Sequence, residues 1–132
     1  MALLVPNVGE AEMLKRILGQ TTTDVVVKLY SNSYVPLETS VVGDFTENAE
    51  AGYASATLTA ASWTVAGDPT EASYAEQSFV FDAAASTANV EGYFITNVAG
   101  TIVLWAEKFS DGPYTIPTRG GTVFVIPKIQ LA

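Results

Sequence analysis

Two amino acids are missing altogether from this 132-residue chain: it has no cysteine and no histidine. The first absence excludes disulfides and thiol nucleophiles, so stability has to come from packing and from any contacts between copies. The second removes the usual zinc ligand sets, the Ser–His and Cys–His pairs and the commonest general base. Positive charge is scarce as well. Six lysines and arginines against fourteen acids leave a net charge of −8, which repels phosphate backbones and anionic membrane surfaces. Neither nucleic acid nor a membrane is expected as a partner. Long hydrophobic runs are also missing: "MALLVP" at 1–6 is apolar, but it is too short for a signal-peptide core or a membrane span, and no basic residue precedes it. Finally, charged residues make up only 15% of the chain, and the mean hydropathy is +0.26. A small soluble monomer normally displays more charge, so part of the surface is expected to be covered by copies of the chain or by a partner.

What is present reads as one β domain behind a short arm. The chain is long enough to bury roughly two thirds of its unfolded surface without staples, and it contains no internal repeat, low-complexity segment or linker that divides it. Residues 1–20 form an N-terminal arm and amphipathic helix, and residues 21–132 a single β-sandwich domain. In "NVGEAEMLKRILG" at 7–19, Asn7 or Gly9 can cap the start, Glu10 and Glu12 fall in the first turn, Lys15 and Arg16 near the end, and Gly19 supplies the stop. Met13, Leu14, Ile17 and Leu18 make an apolar stripe at helical spacing. A helix of about ten residues is not stable alone, so it must dock on its own β core or on a neighbour.

From Thr21 the period becomes two. "DVVVKLY" at 24–30 alternates Val25, Val27 and Leu29 with Val26, Lys28 and Tyr30. The long polar stretch 31–52 reads as a surface excursion with a short strand at 37–42. Strands are predicted at 53–60, 62–67 and 73–82, then a hairpin of 90–97 and 101–109 about a turn at 98–100. Apolar residues on both faces mark that hairpin as central. Further turns fall at 110–113 and 119–121, and a closing strand at 122–132 must bulge or run along an edge at Pro127, which lacks an amide donor. Seven or eight strands with turns between them and no intervening helix predict an all-β fold: an antiparallel β-sandwich or jelly roll with a short N-terminal helix.

The chemistry offered by the residues is thin. Glu76, Glu91 and Glu107 lie in or beside strands near aromatics and could serve as a carboxylate pair for glycoside hydrolysis, but a small sandwich rarely provides the cleft, and no enzyme is predicted. Asp44, Glu47, Asn48 and Glu50 crowd one loop with hard oxygen donors, without the spacing of a calcium loop. "RGG" at 119–121 is a turn in an acidic chain, not a phosphate cradle. Sugar binding is the main alternative of another kind: Trp63, Trp105, Tyr34, Tyr53 and Tyr74 could stack on a ring, with Tyr34 the best placed on a loop. No metal or cofactor is called for.

Across nearly its full length, the chain resembles a family of small virion proteins of tailed bacteriophages. The resemblance is carried by "MALLVPNVGEAEMLKRILG", "VVVKLYSNSYVP", "GYASATLTAASWT", "GYFITN" followed by "IVLWAEKF", and "TVFVIPKIQL". It implies a β-sandwich structural protein of the virion, first of all a capsid decoration or cement protein on the capsid surface, with a tail or fibre component as the alternative. The implied partners are the major capsid protein and copies of itself, in a dimer or trimer, with several weak contacts adding through avidity. The contacts expected from this reading are Leu3, Leu4, Val5, Met13, Leu14, Ile17 and Leu18 of the arm and helix, and Ile126, Pro127 and Ile129 of the closing strand.

Overall fold

A computed structural model describes residues 3–17, 24–67, 70–83 and 89–130. Among these residues one α-helix, α1 (Asn7–Ile17), precedes eleven strands: β1 (Val25–Tyr30), β2 (Ala56–Leu58), β3 (Thr64–Ala66), β4 (Glu71–Ser73), β5 (Gln77–Phe81), β6 (Asn89–Val90), β7 (Gly92–Asn97), β8 (Val103–Lys108), β9 (Tyr114–Thr115), β10 (Gly121–Val125) and β11 (Lys128–Gln130). Every pairing among them is antiparallel. The protein is the all-β sandwich with a short N-terminal helix that the residue pattern predicts.

One layer is a four-stranded sheet in the order β2-β1-β7-β8. Beyond β8 the arm adds a single bridge, in which Leu4 and Ala106 exchange both backbone hydrogen bonds at 3.1 and 3.0 Å. The other layer is built from β4 and β5 running against β11 and β10, with β3 beside β4 and the short β6–β9 pair beyond. Between the layers Val27, Leu29, Leu58, Ile95 and Leu104 meet Phe79, Phe81, Val123 and Val125 in the main core. Alternation explains the choice: Val25, Val27 and Leu29 point one way along β1, while Phe79 and Phe81 point inward from β5.

The opposite face of the first sheet is also buried, which refines the expectation for residues 31–52. They run over the surface, but Pro36, Ser40, Phe45 and Asn48 turn inward. Phe45, with Val42 and Tyr34, covers Tyr30, Phe94, Val103 and Ala106, and the Phe45 ring stacks on Phe94 at 4.8 Å and 11°. The apolar outer face of β1, β7 and β8 needs such a cover, and hydrogen bonds inside the loop shape it. Asn32 bridges the Asp44 carbonyl and the Thr46 amide at 2.8 Å each, and Asp44 accepts the Val41 amide at 2.8 Å. A turn and the 3-10 segment Val42–Asp44 replace the strand predicted at 37–42.

Four predicted strands are shorter or split. Only 56–58 of 53–60 is strand, and 62–67 narrows to 64–66. The run 73–82 and the closing strand both break, at 74–76 and at 126–127, opposite one another. Pro127 cannot donate to the ladder, and its carbonyl accepts the Tyr74 amide instead at 2.9 Å. The turn at 119–121 depends on Gly120, whose φ of 79° is left-handed and whose missing Cβ would collide with the Phe81 carbonyl.

Helix α1 packs on β8, and its inward face differs from the predicted stripe. Gly9, Glu12, Met13 and Arg16 face the core, with Glu12 and Arg16 paired at 3.6 Å, whereas Leu14 is 60% exposed. Gly9 is the physical reason. Leu104 is the extra residue where the β7–β8 register shifts, and its backbone approaches so closely that a Cβ at position 9 would lie 2.8 Å from its Cα. The helix therefore turns its glycine, not its leucine, to the sheet. Its start is also corrected: the Pro6 carbonyl accepts the Gly9 and Glu10 amides, and Asn7 donates its amide to Glu38, so neither Asn7 nor Gly9 is the cap.

Candidate functional site

The residues expected to meet a partner are distributed unevenly. Leu3, Val5 and Met13 lie partly buried against the protein's own core, as does Ile129, and Leu4 is held by its bridge to Ala106. Pro127 is buried. Leu14 and Ile126 are the exposed members. Leu18 lies outside the described residues, as does the Ile17 side chain.

Ile126 does not stand alone. In the β5–β10 pair, Phe79 and Phe81 point inward with Val123 and Val125, so the alternate residues Ser78, Val80, Thr122 and Phe124 form the outer face. There Val80 is 55%, Phe124 59% and Ile126 55% exposed. The ten residues of the two strands, "QSFVF" and "GTVFV", contain no charged side chain, although the chain carries −8 overall. Isolated exposed apolar residues are ordinary, whereas these three lie together on one strand pair. Reading the sequence alone missed Val80 and Phe124 because the run "TVFVI" is apolar throughout and does not reveal which members face out. The alternation in "SFVF" was the available signal.

One hollow borders this ribbon, and another lies away from it. A groove of about 400 Å³ runs between β9 and β10, lined by Tyr114, Ile116, Thr122 and Phe124 among others. An apolar cleft of about 400 Å³ lies between α1 and the β11-β4-β3 sheet. Val65, Ala72 and Ile129, aligned across the three strands, form one wall, while Met13 and Trp105 close the other side. The Trp105 indole N–H sits beside the Tyr93 hydroxyl without a well-aligned hydrogen bond.

Glu76 lies exposed between β4 and β5, and most of the other side chains weighed for chemistry make contacts within the fold. Glu91, 5% exposed, pairs with Lys108 at 3.4 Å, and Lys108 also reaches Ser33. Glu107 accepts the Tyr93 hydroxyl at 3.0 Å. Burial, reinforced by Glu91 and Glu107, raises the Tyr30 hydroxyl above the usual tyrosine range, and burial with Glu107 does the same to Tyr93. Neither phenol is poised to give up a proton near neutrality. In the acidic loop, Glu47 pairs with Lys28 at 3.1 Å and accepts the Tyr53 hydroxyl, while Asn48 accepts the Glu50 amide. No cluster of three acidic side chains with metal-holding geometry occurs among the described residues. The aromatics considered for sugar stacking are also packed. Tyr34 lies edge-on to Phe45 with its hydroxyl 2.8 Å from Ser40, Tyr53 stacks on Phe79 and Phe81, and Trp63 meets Trp105 and Tyr74.

Fold and surfaces together define a β-sandwich whose most distinctive external feature is an uncharged, partly apolar strand ribbon. No family model matches the chain, and neither the curated proteins nor the solved structures contain a significant match to it.

Proposed function

We propose that this protein is a structural subunit of a tailed-phage virion, a capsid decoration protein that bridges neighbouring capsid subunits through the outer face of β5 and β10. The observation that carries the reading is the exposure of Val80, Phe124 and Ile126 on a charge-free ribbon of an acidic chain. Such a surface gains free energy by being covered, and at roughly 25 cal/mol per Å² a modest contact repeated by capsid symmetry becomes effectively permanent through avidity. The reading needs no catalytic group, and Glu91, Glu107 and the aromatics that enzyme or sugar-binding readings would use make contacts within the fold. A positive mean hydropathy and a low charge content also fit a protein that ends up largely covered.

The test is cosedimentation of the purified protein with phage heads that lack it. Saturable binding that Val80→Lys weakens, with the folded state intact, supports decoration through this face. Binding to tails or fibres instead moves the protein to the alternative virion role, and binding to glycans with no affinity for any particle component overturns the proposal.

A further inference from the structure

We propose that the free edge of β10 is a homodimer contact, in which β10 pairs antiparallel with β10 of a second copy across a two-fold axis. The inference deepens the assembly reading above by naming a partner for the ribbon, but it concerns the edge of the strand, not the face that would meet the capsid.

β10 pairs only with β5 among the described residues, so alternate residues of Gly121–Val125 turn their N–H and C=O groups away from β5. Only an extended backbone presents donors and acceptors at the matching repeat, which makes another strand the ligand that this edge recognises.

The β10 edge is also unprotected. Natural edge strands are blunted by charge, proline, a bulge or brevity. β2 and β3 are three residues long. The outer end of β5 is tied to the preceding loop, where the Asp82 amide donates to Ala51 at 2.9 Å. β10 has five residues with no charge, no proline and no register shift, and its open side borders the groove that separates it from β9.

The occupant that fits this edge is a second copy. A strand is its own complement under a two-fold axis, because antiparallel self-pairing needs no second sequence. Two chains that each carry −8 repel wherever acids face each other, and the uncharged β5–β10 ribbon is where their strands can approach without opposing like charges. Pairing there also brings the exposed Phe124 side chains of the two copies onto one continuous four-stranded surface, β5-β10-β10-β5.

Sedimentation velocity on the full chain up to about 100 μM, together with single-cysteine cross-linking, tests the proposal. The chain has no native cysteine, so Thr122→Cys, Phe124→Cys and a control at the exposed hairpin turn, Val98→Cys, report without background. A short bismaleimide spans both directly opposed and diagonal positions of paired strands. The expected result is a dimer that cross-links from 122 and 124 but not from 98. Thr122→Lys, which sets like charges side by side at the edge, should weaken it roughly tenfold or more, with unchanged circular dichroism showing that it folds. A monomer at every concentration, a trimer, or a dimer indifferent to Thr122→Lys and not cross-linked through β10 overturns the inference. Particle binding separates the two proposals: a monomer that binds heads removes this contact and keeps the decoration reading, while a β10 dimer that binds no particle does the reverse.

Discussion

Replacing Gly9 with alanine sets two physical effects of opposite sign against each other. In an exposed helix the change stabilises, because alanine exceeds glycine in helix propensity by about 0.8–1.0 kcal/mol in the interior and by less in the first turn. In this protein position 9 faces the sheet. A Cβ there would overlap the Leu104 carbonyl oxygen and lie 2.8 Å from both the Leu104 Cα and its carbonyl carbon, all rigid backbone in the β7–β8 pair. Overpacking of this kind costs about 1–3 kcal/mol. The helix can escape only by lifting away from β8, which exposes Met13 and the Glu12–Arg16 pair. The net expectation for Gly9→Ala is a loss of roughly 1–2 kcal/mol. Val8→Ala on the exposed side should stay within about 0.5 kcal/mol. Equilibrium urea unfolding followed by the fluorescence of Trp63 and Trp105 measures both. If Gly9→Ala raises the midpoint, the helix does not dock on its own β8, and its inward face is free for a neighbouring subunit.

Three further outcomes follow from buried groups. Lys108→Met strands the Glu91 carboxylate, which is nearly inaccessible to water, and should cost about 2–4 kcal/mol in urea unfolding; the double replacement Glu91→Gln with Lys108→Met should cost less, because no charge is left unpaired. Phe45→Ala removes the ring stacked on Phe94 and should cost about 3–4 kcal/mol, with amide exchange in residues 31–48 accelerating first. Burial raises the hydroxyl pKa of Tyr30 and Tyr93 above the ordinary 10.0, so above pH 10 the unfolded chain releases protons that the folded one keeps. Their stabilisation is fully present below pH 10 and declines as pH rises through the folded-state values, by about 1.4 kcal/mol per pH unit for each tyrosine. Unfolding midpoints that do not fall between pH 10 and 11 would contradict that burial.

Sequence periodicity made β1, β5, β7 and β8 legible because each combines alternation with branched or aromatic residues. The turns at 98–100 and 119–121 were legible because glycine tolerates the positive φ that each contains. The loop 31–52 was not legible as a cover. Its polar residues signal a surface, and the signal that it packs inward is the single ring of Phe45, whose partner Phe94 lies 49 positions away. The helix was found, but its orientation was not, because an apolar stripe identifies a helix without identifying what it meets.

Sequence alone determined the class of this protein. A period of two punctuated by turn residues forces strands to bury one face, and the absence of cysteine and histidine removes most catalytic chemistries. Tertiary structure decided which apolar residues stay exposed. Leu14 of the predicted helix stripe is turned from the sheet because the close approach of the Leu104 backbone leaves room only for Gly9. The arm is held by its bridge to Ala106. Val80, Phe124 and Ile126 face outward because pairing of β5 with β10 fixes the direction of each alternate side chain. That direction depends on register between segments some forty residues apart, which no local pattern contains.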